Sequence, residues 1–361
     1  MARKTTRRDF FRGRSAAEAA ADLAGRTGAA GPSSHPDEKS YLIHVTRRAM
    51  ACQFELDLNA GQYPQGTTAA QNALKLVSQL EEQLSVFRPE SEISRLNRTA
   101  ADAPVQVEPR LFELLKISAE VSDETGGAFD VTSGPLWKAW GFARRQGAVP
   151  GEDAIAEALS RVGRELVELD ADRHRVRFRK PGVELNLGSI GKGYALDRAA
   201  ERMIEEGVGD FLLHGGQSSV LAHGRRLERS ADRQAGWTVG LRDPVRPNTR
   251  LAEIRLVDQA LATSGSARQY FRHEGRRYGH IVDPRSGRPA EGVYSATVVA
   301  PTAAVADALA TAFCVMGADA ALAHCSRRPE LAVVLVCPGP QGSGVQIHQA
   351  GFEEGRLKLL P

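Results

Sequence analysis

The order of strand-like and helix-like segments predicts an α+β fold for this chain. From about residue 183 onward, short apolar runs are separated by glycine turns, and two helical segments interrupt them. This mixed order differs from the regular strand–helix alternation of a doubly wound parallel sheet. No internal repeat is visible. The pattern therefore favours one α+β domain with many short strands.

Size and composition are those of a soluble globular protein. The chain has 361 residues, of which 42% are hydrophobic and 25% are charged, enough for one large domain or two ordinary ones. Its net charge of +3 is too small to indicate nucleic-acid binding. No apolar run reaches the ~20 residues of a transmembrane helix, so no membrane span is expected. The four scattered cysteines support neither zinc nor a disulfide framework.

The first 40 residues are predicted to be a basic tail, with the folded domain spanning residues 41–361. The tail carries many arginines and ends in a stretch rich in glycine, serine and proline. Residues 6–11 resemble a twin-arginine export signal, but Glu18 and Asp22 interrupt the apolar stretch that such a signal needs. Both interpretations stay open, so the expected location is cytoplasmic or associated with the cell envelope.

Periodicity predicts the elements of the first half of the chain. Residues 41–58 alternate apolar and polar positions, as strands do. Residues 67–84 carry apolar side chains at helical spacing, and residues 109–124 begin with proline and precede two glycines. A short helix over residues 152–160 and a hairpin over residues 167–178 complete this half.

In the second half, short apolar runs predict strands and longer periodic segments predict helices. The expected helices cover residues 192–206 and 301–316. The expected strands cover residues 183–187, 211–214, 220–223, 237–241, 253–257, 294–300 and 331–336.

A glycine-rich run over residues 186–195 follows a predicted strand and opens a predicted helix. Its three glycines and Lys192 could cradle phosphate through backbone N–H groups and the positive end of the helix. The run matches neither the Walker A order nor the dinucleotide order G-x-G-x-x-G. On this run alone, a phosphate site and an ordinary tight turn are equally well supported.

Two later clusters suggest metal-assisted chemistry. Asp307 and Thr311 are four residues apart on a predicted helix, so their side-chain oxygens point the same way. Oxygen ligands at this spacing suit Mg2+, which also takes waters and phosphates. His280 precedes an acidic, proline-containing turn and could act as a base near neutral pH. Separately, a histidine such as His280 is more often an ordinary hydrogen-bonded residue than a catalyst, and Asp307 also suits a normal helix start.

Taken alone, Phe87 would be a core or loop-anchoring residue, and residues 127–130 a plain helix exit. Together, however, the motifs resemble those of the FAD:protein FMN transferase family, the ApbE-like flavin transferases, and follow the same order. The resemblance covers about residues 41–340. The matching segments are residues 50–52, 91–97, 127–136, 187–197, 262–265, 280–287 and 306–312.

The resemblance implies a fold of mixed, largely antiparallel sheets with flanking helices. It also implies an enzyme that cuts FAD at its pyrophosphate and moves FMN to a Ser or Thr hydroxyl of a partner redox protein, with release of AMP. FAD would then be the substrate, and Mg2+ the cofactor. An FMN–histidine intermediate is a chemically reasonable alternative route.

Residue roles also follow from the resemblance. The flavin site would be lined by Met50, Phe87, Ala128, Phe129 and Asp130. Lys192 would hold the FAD phosphates, and His280 would lie close to the reacting phosphate. Mg2+ would be bound by the side chains of Asp307 and Thr311 and by a backbone carbonyl, expected at Ser189.

Three positions depart from the family pattern. Asn186, expected at the FAD site, stands where the family usually has aspartate; asparagine accepts a hydrogen bond but cannot act as a base or a negative ligand. Gln217 replaces an acidic or asparagine residue, and Ala51-Cys52 replaces Gly-Thr. The alternative function is therefore a catalytically impaired FAD-binding protein or an FAD pyrophosphatase.

Overall fold

The computed structural model describes residues 41–144, 147–227, 236–266, 269–340 and 344–360. The predicted basic tail and its export-like segment lie outside these residues. Within the described part of the chain, no helix is both long and apolar enough to cross a bilayer.

The largest sheet has eight strands, and each neighbouring pair is antiparallel. Its strands are β1 (Leu42–Ala49), β2 (Cys52–Asn59), β6 (Phe211–Gly215), β7 (Ser219–His223), β10 (Gln259–Gly265), β13 (Ser295–Ala300), β14 (Ala332–Pro338) and β15 (Val345–Ala350). They lie in the order β1-β2-β6-β7-β10-β13-β14-β15. This antiparallel sheet, flanked by helices, confirms the predicted α+β class.

The remaining strands of the described chain form smaller sheets. One contains β8 (Trp237–Arg242), β9 (Arg250–Leu256) and β16 (Leu357–Leu359), and another contains β3 (Val105–Gln106), β4 (Val167–Asp170) and β5 (Arg175–Phe178). The strands β11 (Tyr270–His273) and β12 (Arg276–Gly279) form a separate hairpin.

The helices of the described chain are α1 (Gly66–Leu84), α2 (Glu92–Thr99), α3 (Pro109–Glu124), α4 (Gly134–Ala139), α5 (Glu152–Leu159), α6 (Gly191–Glu205), α7 (Ala303–Met316) and α8 (Ala318–Cys325), with short 3-10 turns at Phe142–Arg144 and Arg164–Leu166. Helices α4 and α5 pack in a separate small core with Trp140 and Val282. Helices α1, α6 and α7 form a layer on one face of the eight-stranded sheet. The main core lies between this layer and the sheet. The opposite sheet face packs against the β8-β9-β16 sheet, through a second core that includes Trp237, Leu212 and Val220. The long sheet is thus buried from both sides over part of its length.

The two best-patterned helices are confirmed. Every apolar residue of the predicted α1 stripe, from Ala70 to Leu84, is buried. Helix α3 begins with Pro109, and the Glu108 side chain accepts a hydrogen bond from the Leu111 N–H. Gly126 and Gly127 follow it with positive φ, the backbone conformation that ends helices at glycine. Sequence periodicity was sufficient to predict these helices because the apolar pattern agrees with the proline and glycine signals at the helix ends.

The predicted strand over residues 183–187 is wrong. Its apolar positions Val183 and Leu185 are buried as expected, but the segment is extended chain with a single isolated bridge, between Glu184 and Ser133. The backbone of Leu185 is bonded by a side chain instead. Asn97 accepts from the Leu185 N–H at 2.8 Å and donates to its carbonyl at 3.0 Å. The Asn97 side chain therefore forms the two backbone hydrogen bonds that a neighbouring strand would otherwise form.

The other predicted strands and helices are present, with small shifts at their ends. Several short elements were not predicted, among them α2, α4, α8, β10, β15 and the β11–β12 hairpin. Helix α2 has an N-cap, Ser91, whose side chain accepts from the Ser94 N–H at 3.0 Å, but it has only eight residues. The β11–β12 hairpin is mostly charged and exposed, so it lacks the alternation that marks a half-buried strand.

Candidate active site

An open cleft of about 1000 Å³ runs along the sheet face beside the small β8-β9-β16 sheet. A cavity of this size can hold a ligand larger than most drug-sized molecules. Nearly all of the predicted site residues line it: Phe87, Ala128, Phe129, Asp130, Asn186, Ser189, Lys192, His280, Asp307 and Thr311. Residues from distant parts of the sequence are thereby brought to one surface.

Met50 is the exception and does not line the cleft. It occupies the two-residue turn between β1 and β2, where Met50 and Ala51 have φ values of 49° and 58°. Two successive left-handed residues are the geometry of tight hairpin turns. The half-buried Met50 side chain packs against the main core. Its contact with flavin stays a prediction.

Asp307 is almost fully buried, with 2% of its surface exposed. Helix α7 begins at a Thr302 N-cap and carries Asp307 to the cleft floor. Its Oδ2 atom accepts from the Gly193 N–H at 3.1 Å and from Lys192 Nζ at 3.4 Å, while Oδ1 accepts from Ser219 Oγ at 3.4 Å. These contacts are long for charge-assisted hydrogen bonds. A buried carboxylate held this loosely can still offer lone pairs to a cation.

Thr311 lies one turn further along α7. Its Oγ1 atom is 3.0 Å from Ser264 Oγ and 3.3 Å from the Asp307 carbonyl. Among the described residues, no group of three or more His, Cys, Asp and Glu side chains could hold a metal ion. A metal here would therefore rest on one carboxylate together with hydroxyl and carbonyl oxygens. That all-oxygen set suits Mg2+, which usually keeps several waters.

Lys192 is placed by the close contact of α6 with the start of α7. A Cβ atom on Gly193 would come 2.0 Å from the Ala303 carbonyl oxygen, so only glycine fits at this crossing. One turn later, the two oxygens of Asp197 accept from the Ala303 and Ala304 N–H groups at 2.7 and 2.8 Å. The Lys192 side chain, 25% exposed, then lies beside Asp307 and lines the cleft.

Asp197 and Gly193 hold this junction together, a role that was not predicted from the sequence. Burial raises the pKa of Asp197 to about 7, although the residue keeps some exposed surface and two backbone N–H groups act against that shift. Both residues lie in the matching segment 187–197, so the signal was present. Their role could not be read from it, because the partner is the start of α7, more than a hundred residues away.

The turn before α6 is held by Asn186. Its Oδ1 atom accepts from the Gly188 N–H at 3.0 Å, and its own N–H donates to the Val131 carbonyl at 2.7 Å. The backbone donor fixes the orientation of the amide, because only the oxygen can accept. Asn186 and Ser189 both line the cleft next to Lys192. An aspartate could make the same turn, so the substitution changes charge rather than backbone geometry.

His280 is half-buried and follows β12. Its Nδ1 atom lies 3.1 Å from the Gln269 carbonyl oxygen. Since a carbonyl can only accept, Nδ1 carries the proton, and Nε2 keeps the lone pair of a neutral imidazole. Burial is the main cause that lowers the pKa of His280 below 6.5, and the positive charge of Lys192 acts in the same direction. The ring can therefore accept a proton at neutral pH.

Aromatic and small side chains line the end of the cleft next to α4. Phe87 is 69% exposed and meets the ring of Trp137 edge to face, with ring centroids 6.3 Å apart. It is thus no core residue. Phe129 is buried, and Asp130 Oδ1 accepts from the Thr132 N–H and hydroxyl at 2.8 and 2.7 Å. Burial raises the pKa of Asp130. Trp137 was not predicted from the sequence.

A further polar group of the cleft lining was also not predicted. It consists of Glu55, Asp57 and His214, on β2 and β6. His44 Nδ1 lies 2.5 Å from Asp57 Oδ1, and this bond is the main cause that raises the pKa of His44. Burial lowers the pKa of His214. The cleft lining therefore combines an aromatic part next to α4, the Lys192–Asp307 pair and a second polar part.

Comparison with known proteins gives the family of this chain. A sequence profile of the ApbE family matches residues 50–335. A FAD:protein FMN transferase of Treponema pallidum is 32% identical over 280 residues, which are 75% of this chain and 77% of that protein. One from Escherichia coli strain K12 is 31% identical over 261 residues, covering 70% of this chain and 72% of that protein.

Solved structures agree. The ApbE protein of Thermotoga maritima superposes with a TM-score of 0.74 at 29% identity, covering 85% of this chain and 96% of that chain. The apo form of the flavinyl transferase ApbE of Pseudomonas stutzeri gives a TM-score of 0.75 at 28% identity, covering 87% and 96%. Because the profile spans most of the sequence and the fold agrees over most of its length, this chain belongs to the ApbE family.

Proposed function

We propose that this protein is a Mg2+-dependent FAD:protein FMN transferase, which moves FMN from FAD to a Ser or Thr hydroxyl of a partner redox protein and releases AMP. One observation carries the proposal. Lys192, His280 and the buried carboxylate of Asp307 line one cleft large enough for a dinucleotide. Phosphoryl transfer asks a protein mainly for positioning and for neutralisation of charge, and these groups supply both.

The reaction joins the acceptor oxygen to the phosphorus on the FMN side of the pyrophosphate. The bond from that phosphorus to the bridging oxygen breaks, and AMP leaves with the electron pair. The acceptor hydroxyl must lose its proton as this happens. The neutral imidazole of His280 can take that proton at Nε2, because Nδ1 is already bonded to the Gln269 carbonyl.

The cation would be held by the side chains of Asp307 and Thr311 and by the Ser189 carbonyl, all on the cleft wall. When bound, Mg2+ supplies neutralisation of the phosphate charge and orientation of the substrate. Lys192, whose Nζ atom lies 3.4 Å from Asp307 Oδ2, would supply a second positive charge for the phosphates. The flavin ring would lie at the aromatic end, where Phe87 and Trp137 offer faces and edges for stacking.

The test is direct. The purified protein is incubated with FAD, MgCl2 and an unflavinylated redox subunit whose mature form carries FMN on threonine. Covalent fluorescence on a denaturing gel and an FMN mass increment on the acceptor are expected, with AMP in equal amount. EDTA should abolish the flavinylation of the acceptor and the release of AMP. Absence of transfer with every divalent cation tried would refute the proposal.

The second candidate, an FAD pyrophosphatase or an inactive FAD-binding protein, is favoured by Asn186, which lacks the negative charge of the usual aspartate. Incubation with FAD and Mg2+ but no acceptor separates these functions. Accumulation of FMN and AMP indicates hydrolysis, whereas stable bound FAD indicates a binding protein. If the protein is a transferase, FAD cleavage in the presence of the acceptor should be faster than FAD hydrolysis without it.

A further inference from the structure

The β11–β12 hairpin, residues 270–279, is a strongly basic element beside the cleft. It carries Arg272, Arg276 and Arg277 against a single acid, Glu274, and all four residues are exposed. Arg276 pairs with Glu291 at 2.6 Å. Arg272, in contrast, has no carboxylate partner within the described part of the chain.

One face of the hairpin fixes it to the fold. Phe271 and Tyr278 are cross-strand neighbours whose rings stack 5.3 Å apart. Both rings pack against the buried Trp140, at 6.5 and 5.5 Å between centroids. The indole N–H of Trp140 donates to the Gly287 carbonyl at 2.8 Å. The apolar face therefore holds the hairpin in place, and the opposite face is presented outward.

The opposite face consists of Tyr270, Arg272 and Arg277, here called the basic face. The Arg277 guanidinium lies 3.9 Å from the centre of the Tyr270 ring and donates to the Ser266 carbonyl. Ser266 directly follows the cleft-lining residues of β10. The basic face is therefore tied to the cleft rim.

The base of the hairpin is tied to the reacting centre. Both the backbone N–H and the Nδ1 atom of His280 lie 3.1 Å from the Gln269 carbonyl, at the two ends of the hairpin. No residue of the hairpin lines the cleft, although its flanking residues Gln269 and His280 do. Its arginines are thus outside the volume available to FAD, yet next to the place where an acceptor must approach His280.

We infer that the basic face binds an acidic segment of the acceptor protein, adjacent to the hydroxyl that receives FMN. This inference rests on the proposed function. Arginine matches carboxylates with two parallel hydrogen bonds, and the exposed Arg272 is free to form them. An acidic segment bound there would direct the neighbouring hydroxyl to His280. Charge complementarity at such an exposed rim contributes to the association rate and to the choice of partner.

The test measures binding, so it does not depend on turnover. A fluorescent peptide with one threonine flanked by aspartates is titrated at low ionic strength, next to the same peptide with asparagines. The aspartate peptide should bind about tenfold more tightly, since two exposed ion pairs supply about that factor. This difference in affinity between the two peptides should disappear in the R272E/R277E variant and persist in the R175E variant. Arg175 is an equally exposed strand arginine in the β4–β5 hairpin.

Other outcomes overturn the inference. These are equal binding of both peptides, an unchanged difference in R272E/R277E, or displacement of the peptide by FAD. Preferential binding of a labelled oligothymidylate that is lost in the same variant would make the hairpin a nucleic-acid surface instead. If R272E/R277E does not fold, R272E alone decides, because Arg272 has no ion pair to lose. FAD cleavage by wild-type protein without acceptor is measured in parallel, so failure of the proposed function is detected separately.

Discussion

The α6–α7 junction and the rim of the cleft differ in how firmly their side chains are held. At the junction, Asp307 is buried and bonded three times, and Gly193 touches the backbone of the next helix. At the rim, Phe87 is 69% exposed with one ring contact, and Arg272 has no ion-pair partner in the described chain. Side chains at the junction are fixed by packing, whereas those at the rim, where the proposed function places ligand and partner, are exposed. Substitutions at the junction and at the rim should therefore change different properties of the protein.

The largest expected effect is that of Asp307→Asn at the junction. Asparagine keeps an oxygen for the Gly193 N–H but removes the negative charge beside Lys192. Loss of such charge stabilisation should lower Mg2+-dependent FAD cleavage by about a thousandfold, which corresponds to about 4 kcal/mol. Initial rates of AMP release measure this. Thr311→Val is the matched comparison, because it removes a neutral oxygen that water can replace, and its rate should fall less. A near-normal rate in Asp307→Asn would mean that this helix face is only structural.

The second prediction concerns the packing of the same junction. Gly193→Ala places a methyl group 2.0 Å from the Ala303 carbonyl oxygen, where backbone rather than a flexible side chain must move. Overpacking of this kind should lower the free energy of unfolding by about 3 kcal/mol. Chemical denaturation measures the loss, and FAD cleavage should fall as Lys192 and Asp307 separate. Gly151→Ala, just before α5, is the control for the glycine substitution itself, because its φ is −68° and nothing in the described chain lies within 4 Å of an added Cβ atom. Equal stability of Gly193→Ala and wild type would contradict the close contact.

Sequence patterns predicted the parts of this protein that depend on local periodicity. The apolar stripe of α1 and the proline start of α3 agree with the structure because local signals and packing coincide. Asp307 and Thr311, spaced i, i+4, both line the cleft, and their binding of a shared metal stays a prediction. The segment 183–187 was mistaken for a strand because burial alternates there, while its backbone partner, the Asn97 side chain, leaves no periodic signal.

The missed site residues share a different cause. Trp137 and Asp197 take their roles from contacts with distant segments, Phe87 in one case and the start of α7 in the other. A single sequence carries no trace of such long-range pairs. The resemblance to a family supplied the order of the motifs but not these contacts. Their roles required the three-dimensional arrangement.

The third prediction tests His280, which lies between the two regions. His280→Gln should lower the transfer rate by about a hundredfold, the usual contribution of a general base. Because the pKa of His280 is lowered from 6.5, the neutral form persists to more acidic pH. The wild-type rate should therefore stay constant as the pH falls to 6.5, and it should decrease only at more acidic pH. The acidic limb should be missing in His280→Gln. A limb that remains unchanged would assign the titration to another group.

The smallest effect is expected at the exposed rim, for Phe87→Ala. The ring meets Trp137 at an interplanar angle of 64°, and removing it leaves that edge without its partner. Under the proposed function the exposed ring also contacts the flavin, and an aromatic contact contributes about 1 kcal/mol, so the KM for FAD should rise about fivefold while kcat changes little. Phe87→Tyr keeps the ring and should retain the wild-type KM. Stability should not change, because 69% of the residue is already exposed. Steady-state rates over a range of FAD concentrations separate KM from kcat. A fall in kcat instead would show that the rim is coupled to the buried junction, and the difference between the two regions would no longer hold.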